Sequence, residues 1–267
     1  MNDTKLIADR SCLMLLALVI CSVAAVGAEQ KIPGIMLPEL TKVTHTNVVQ
    51  VDVCALLDAR PVTTFTAGKL VTWNTFVDGY GKGSAYLTMA AARAVGDKNP
   101  KALPDNPLIP ANGKRPEMLL HYSNDDAEKS QARKVVNDEP LLIPVPAQKY
   151  RQMFLAWTSG DGGSELKVDL IYADGTSATR TVRVPDYYNE VSANDRTWTY
   201  VVRDLNKWNP ANKLTEGDGG HHSIHACDIA PDSNHELTSI KITKNPSRSH
   251  LLFWAATGVT TEERKQP

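Results

Sequence analysis

Leu166-Lys167-Val168-Asp169-Leu170-Ile171-Tyr172, running into Ala173-Asp174-Gly175-Thr176, decides the fold class. Successive side chains of an extended chain point to opposite faces, so Leu166, Val168, Leu170 and Tyr172 share one face while Lys167 and Asp169 take the other. That is a half-buried β-strand. Asp174-Gly175 is a hairpin signal, because a type I′ turn needs positive φ at both central residues. The spacing places the return strand over 179–184.

The same period of two recurs on both sides of this hairpin and predicts strands over 49–55, 70–77, 118–123, 141–145, 150–157, 197–202, 223–229, 237–243 and 251–256. Ile240 and Ile242 match Leu251, Phe253 and Ala255 across Asn245-Pro246-Ser247, which reads as a second hairpin. Helical periodicity is confined to a short candidate at 90–94. Residues 96–113, with Pro100, Pro104, Pro107 and Pro110, read as a long irregular loop. About eleven short strands separated by turn signals predict an all-β, two-sheet sandwich of jelly-roll type.

Upstream, Lys5 and Arg10 precede an apolar run from Cys12 to Val26 that ends in Val26-Gly27-Ala28. This is the pattern of a cleavable signal peptide over residues 1–28, cut before Glu29. The run is shorter than the roughly 20 residues of a spanning helix. The expected product is one sandwich domain over 29–261 with a polar tail over 262–267, located outside the cell, in the periplasm or in the cell envelope. With 29 Lys and Arg against 30 Asp and Glu, the net charge of −1 argues against nucleic acid as the main partner. No later run is apolar enough to predict an integral membrane segment. Of four cysteines, only Cys54 and Cys227 follow the signal segment. An oxidising compartment would let them form a disulfide; the alternative is two buried thiols.

Several strings occur in a telling order: Val51-Asp52-Val53, Asp58-Ala59-Arg60-Pro61, Phe76-Val77-Asp78-Gly79-Tyr80-Gly81, Ile143-Pro144-Val145-Pro146, Tyr172-Ala173-Asp174-Gly175-Thr176, Val184-Pro185-Asp186-Tyr187 and Leu237-Thr238-Ser239-Ile240-Lys241-Ile242. Together they resemble the galactose-binding-like jelly-roll carbohydrate-binding modules associated with bacterial glycosidases. The resemblance implies a sugar held by loops or by one concave sheet face, and a structural calcium ion. One departure is Tyr187, where such modules usually carry Trp.

Sugar recognition needs flat rings that stack on the pyranose C–H face and planar polar groups that bond its hydroxyls. The densest aromatic region holds Tyr187, Tyr188, Trp198, Tyr200 and Trp208, interleaved with Asp186, Asn189, Asn194, Asp195 and Arg196. Tyr187, Tyr188, Asp186 and Trp208 are the first candidates for ligand binding. If the two tyrosines lie on a strand, at least one faces solvent. Trp198 and Trp208 read equally as core residues. Asp78 and Tyr80, in Asp78-Gly79-Tyr80-Gly81-Lys82-Gly83, form a second candidate that is also an ordinary glycine-rich turn. For calcium, Asp161-Gly162-Gly163, Asp218-Gly219-Gly220 and Asn124-Asp125-Asp126 offer oxygen ligands without an EF-hand spacing, with Asp161 and Asp218 as the metal candidates.

His221-His222-Ser223-Ile224-His225 raises the enzyme alternative. On a strand His222 points away from His221 and His225, so the string alone does not assemble a three-histidine site. It lacks the His-Glu-x-x-His spacing of a zinc protease, and no Gly-x-Ser-x-Gly elbow occurs. The sequence therefore predicts a non-catalytic glycan binder with no catalytic residue assigned. The alternative is a small glycoside hydrolase or polysaccharide lyase using His121, His221 or His225 with carboxylates. An envelope protein whose sandwich contacts only other proteins is a third reading.

Overall fold

A computed structural model of the chain describes residues 47–78, 83–209, 213–215 and 221–261. The signal segment, Tyr80, Asp218 and the polar tail fall outside the described residues. In chain order the strands are β1 (Val48–Gln50), β2 (Val62–Thr66), β3 (Lys69–Val71), β4 (Tyr86–Leu87), β5 (Leu108–Ile109), β6 (Met118–Leu119) and β7 (Arg133–Val135). They continue as β8 (Leu141–Gln148), β9 (Tyr150–Gly160), β10 (Ser164–Tyr172), β11 (Ser177–Val184) and β12 (Trp198–Leu205). The last are β13 (Lys207–Asn209), β14 (Lys213–Thr215), β15 (His222–Asp228), β16 (Leu237–Lys244) and β17 (His250–Thr260). Among the described residues one α-helix, α1 (Met89–Ala94), falls on the predicted helical stretch and is capped by Thr88, whose hydroxyl accepts from the Ala91 N–H at 3.2 Å.

Two antiparallel sheets carry the architecture. One runs β1-β17-β9-β15-β12, with β7 lying beyond β1 along the same edge of β17. The other runs β11-β10-β16-β8. They share a core in which Leu166, Val168, Leu170 and Tyr172 of β10 meet Leu155 and Trp157 of β9 and Leu251 and Phe253 of β17. The β10 alternation is as the sequence dictates, and Lys167 and Asp169 pair on its outer face at 3.1 Å. Strand β8 keeps Leu141, Ile143 and Val145 inside and turns Leu142, Pro144 and Pro146 outward. Its place at the sheet edge tolerates prolines, which cannot donate to a ladder.

Strands β9 and β17 are buried on both faces. Their alternate residues, Phe154, Ala156, Leu252 and Trp254, enter a second core on the far side of the large sheet. That core is closed by Val62, Tyr86, Leu103, Ile109, Met118 and Leu120. The proline-rich 96–113 segment thus serves as cover, supplying Leu103 and Ile109 to the core instead of a free loop.

Four expectations need correction. Strands β16 and β17 belong to different sheets, so residues 245–249 cross between layers and form no hairpin. At the first hairpin only Gly175 has positive φ, at 84°, and its N–H donates to the Tyr172 carbonyl at 3.0 Å. This is a type I turn closed by a glycine bulge, which the ladder from Ile171↔Ser177 requires. Strands expected over 49–55, 70–77 and 118–123 stop at Gln50, Val71 and Leu119. Finally, both thiols are free. Cys227 is buried in the sandwich core, whereas Cys54 sits in a 3-10 turn with its sulfur 3.5 Å from His121 Nδ1.

Candidate functional site

Strand β11 ends at Val184, and Asp186 then bridges to Ser159 of β9. The Asp186 carboxylate accepts from the Gly162 N–H at 2.5 Å and the Tyr188 N–H at 3.0 Å, so both oxygens are committed to shaping the turn. Tyr187 and Tyr188 therefore lie in a turn, not on a strand, and their rings come together 4.5 Å apart. His222 of β15 completes a three-ring cluster at 4.9 and 4.7 Å from them. Gly160 makes room for it: a Cβ there would meet Tyr187 Cε1 at 2.8 Å.

The Lys207 ammonium, at the start of β13, stands 5.2 Å from the Tyr187 centroid and 5.6 Å from that of Tyr188, and donates to the Tyr187 hydroxyl at 3.1 Å. Asp78 Oδ2 lies 3.7 Å from the same ammonium, both side chains being 12% exposed. Burial, with Tyr188 beside it, drives the Tyr187 phenol far above its ordinary value, so it stays neutral and is no base. Tyr187 is 3% exposed and cannot be a sugar platform. Trp208 is also removed from the ligand-binding set: it packs with Leu87, Ala91 and Ala92 under α1. Tyr188 and Asp186 are half-buried, and Asp78 is tied to Lys207 and to the Ser84 N–H. Among the described candidates the structure thus unites Tyr187, Tyr188 and Asp78 around Lys207 and His222, while Trp208 lies apart.

An open pocket of about 280 Å³ occupies the other half of the aromatic region. Its walls include Trp198, Asn194, Asp195, Arg196 and Lys114, with Phe154 beneath. Asp195 Oδ1 accepts from the N–H groups of Thr197 at 2.8 Å and Trp198 at 2.9 Å, a local turn that fixes where β12 starts. Lys114 Nζ donates to the carbonyls of Asp195 at 2.7 Å and Ser192 at 3.3 Å, closing the far side. The indole of Trp198 is half-buried, edge-on to His225 with centroids 6.3 Å apart, and Asn194 and Arg196 are exposed beside it. Lys114 was not legible as a site residue, since a lysine in a proline-rich loop carries no local signal.

The histidines do not converge. His121 sits by Cys54; His221 is exposed, 3.8 Å from Asp204; His222 joins the tyrosines; His225 lies 5.4 Å from Tyr200 on the other face of β15. Burial holds His121 and His225 down to about 4, so both are neutral near pH 7. Cys54 is pushed above its ordinary value, by burial first and by Asp52 next, which leaves the thiol protonated.

The described residues do not fit the implied calcium ion. Among them no three His, Cys, Asp or Glu side chains gather as a metal site. Asp161 faces Arg248 at 3.6 Å, Asn124 Oδ1 accepts from Phe65 and Thr88, and Asp126 Oδ1 accepts from the N–H groups of Glu128 and Lys129. Among the described residues no helix is long and apolar enough to cross a membrane.

No family model matches the chain, and no curated protein does. Among solved structures, the chain is similar to the catalytic unit of a thermostable GH87 α-1,3-glucanase from Streptomyces thermodiastaticus strain HF3-3, at 16% identity and a TM-score of 0.29. The match covers 51% of this chain and 21% of that one, so the chain spans about a fifth of the catalytic unit's length.

Proposed function

We propose that the chain is an exported, non-catalytic glycan-binding protein, a galactose-binding-like jelly roll whose site is the pocket at Trp198. The observation that carries this is the indole set in the wall of an open pocket that a planar amide, Asn194, and a guanidinium, Arg196, also line. Its volume, about 280 Å³, falls just below the roughly 300–1,000 Å³ of drug-sized ligand pockets and suits one or two sugar rings. An aromatic face takes the apolar side of a pyranose, and the polar rim orients its hydroxyls.

The connectivity supports the jelly-roll reading. The order β1-β17-β9-β15 stands opposite β8-β16-β10-β11, and the chain passes between layers from β8 to β9, β9 to β10 and β16 to β17. Export rests on residues 1–28 alone. Partners would be a glycan or polysaccharide, with an envelope protein as the competing class.

Affinity electrophoresis through gels cast with neutral polysaccharides tests the reading. The wild-type chain is expected to be retarded by at least one of them, and Trp198→Ala to run as in a plain gel with an unchanged circular dichroism spectrum. Equal retardation of Trp198→Ala would move the site elsewhere. New reducing ends in the same mixtures would replace binding by catalysis.

A further inference from the structure

A second pocket, of about 230 Å³, opens between β7, the 245–249 crossover and the start of β17. Lys134, Lys244 and Arg248 line it together with Asn137, Ser247 and His250, and no carboxylate does. Lys244 is 1% exposed. Its ammonium donates to Asn137 Oδ1, to Ser247 Oγ at 2.8 Å and to the Ser247 carbonyl at 3.4 Å. No carboxylate among the described residues lies within ion-pair distance of it. A buried cation held only by neutral oxygens lacks the counter-ion that would offset its desolvation.

A buried lysine beside a serine could also be a base that activates the hydroxyl, but the hydroxyl chain behind the pair argues otherwise. Ser159 Oγ donates to the Gly162 carbonyl at 2.7 Å, an acceptor that has no proton to offer. With its proton committed, Ser159 accepts from Ser164 at 2.8 Å, Ser164 from Ser249 at 2.7 Å, and Ser249 from Ser247 at 2.7 Å. The Ser247 proton therefore points away from Lys244. Ser247 thus offers the lysine a lone pair, and with Asn137 Oδ1 and the Ser247 carbonyl it makes three acceptors, which match the three N–H groups of an ammonium.

His250 adds a second orphan. Its Nε2 is buried and has no hydrogen-bond partner among the described residues. Burial and the Lys134 and Lys244 ammoniums lower its pKa; the Phe76 carbonyl and Asp78 act the other way. A negative charge in the pocket, which His250 lines, would favour the protonated imidazole.

We propose that this pocket binds an oxyanion, a sulfate, phosphate or carboxylate group, contacted by Lys134 and Arg248, with Lys244 and His250 behind it. Three acids stand outside the lining: Asp161 3.6 Å from Arg248, Asp138 toward Lys244 and Asp78 toward His250. They limit the site to one anionic group. The inference is independent of the Trp198 pocket.

The test is an NMR titration of the full chain with sodium sulfate at constant ionic strength, beside galactose 6-sulfate and unmodified galactose. Sulfate should shift the amides of Lys134, Asn137, Arg248 and His250 saturably and raise the His250 titration midpoint. Lys134→Ala and Arg248→Ala, both exposed positions, should each weaken binding about tenfold with the fold intact. A sugar sulfate that binds tighter than inorganic sulfate assigns the site to an anionic glycan, and equal binding assigns it to the free ion; either supports the site. Absence of saturable shifts with both anions, or shifts that persist unchanged in Arg248→Ala, would overturn it.

Discussion

Asp195 Oδ1 receives the backbone N–H of Trp198 at 2.9 Å, so a carboxylate in the pocket wall also fixes the chain that presents the indole. Removing the side chain leaves two N–H groups, those of Thr197 and Trp198, without their acceptor. Asp195→Ala is expected to cost about 1 kcal/mol of stability and more than tenfold in glycan affinity. Denaturant melts and affinity gels would read the two effects separately.

Arg115 ties the loop carrying Lys114 to β12. Its guanidinium, 2% exposed, donates to the carbonyls of Tyr200, Pro110, Pro116 and Val201 at 2.8–3.0 Å. Burial lowers its pKa to about 10, still well above neutral pH, so it remains the donor. Arg115→Met is expected to destabilise by about 3–5 kcal/mol, because four carbonyl acceptors, two of them in fully buried hydrogen bonds, lose one donor group. Lysine has no fork to span them, and Arg115→Lys should recover less than half of that in a urea melt.

Gly258 of β17 lies against Tyr150, whose hydroxyl donates to the Pro146 carbonyl at 2.8 Å. A Cβ at 258 would overlap Tyr150 Cε1 and Cδ1, and the ring, 0% exposed, has no room to withdraw. Gly258→Ala should cost about 1–3 kcal/mol and lower the melting temperature. Gly113, whose Cβ would meet nothing within 4 Å, is the neutral control.

His121 and His225 set an acid limit. Each is held down to about 4 in the fold against 6.5 for the free group, so the unfolded chain binds more protons between those values. Their contribution is fully present above pH 6.5 and is lost as the pH falls toward 4, roughly 3 kcal/mol for each. Asp228, raised by burial, opposes this in the carboxylate range. Urea midpoints should fall from pH 7 to 4.5, and His225→Gln should flatten the slope; a midpoint independent of pH would contradict this.

How much of this was legible depended on how many faces each strand buries. Strand β10 and its return strand were readable because Lys167 and Asp169 meet water while Leu166 and Val168 do not. Strands β9 and β17 were recognised as strands, but their partnership was not, because apolar residues on both faces erase the alternation that tells which layer a strand joins. Of the second core only the alternation over 118–123 was legible: β2, β4 and β5 contribute two to five residues each, too few to show a period. At the site, the aromatic-polar region was legible, but its orientation was not. Tyr187 and Tyr188 turn inward together because Asp186 bends the chain beyond β11. The Asp195-Arg196-Thr197-Trp198 turn held the better signal, an aspartate two and three residues ahead of the amides it caps.

The most direct measurement is a map of the bound glycan on the surface, from amide and indole N–H resonances recorded during titration with an oligosaccharide that retards the chain in gels. Saturable shifts centred on the Trp198 indole and on Asn194, Asp195 and Arg196 are predicted, with Tyr187 and Trp208 unmoved. Shifts centred on the Tyr187, Tyr188 and His222 rings, with Trp198 silent, would contradict the account.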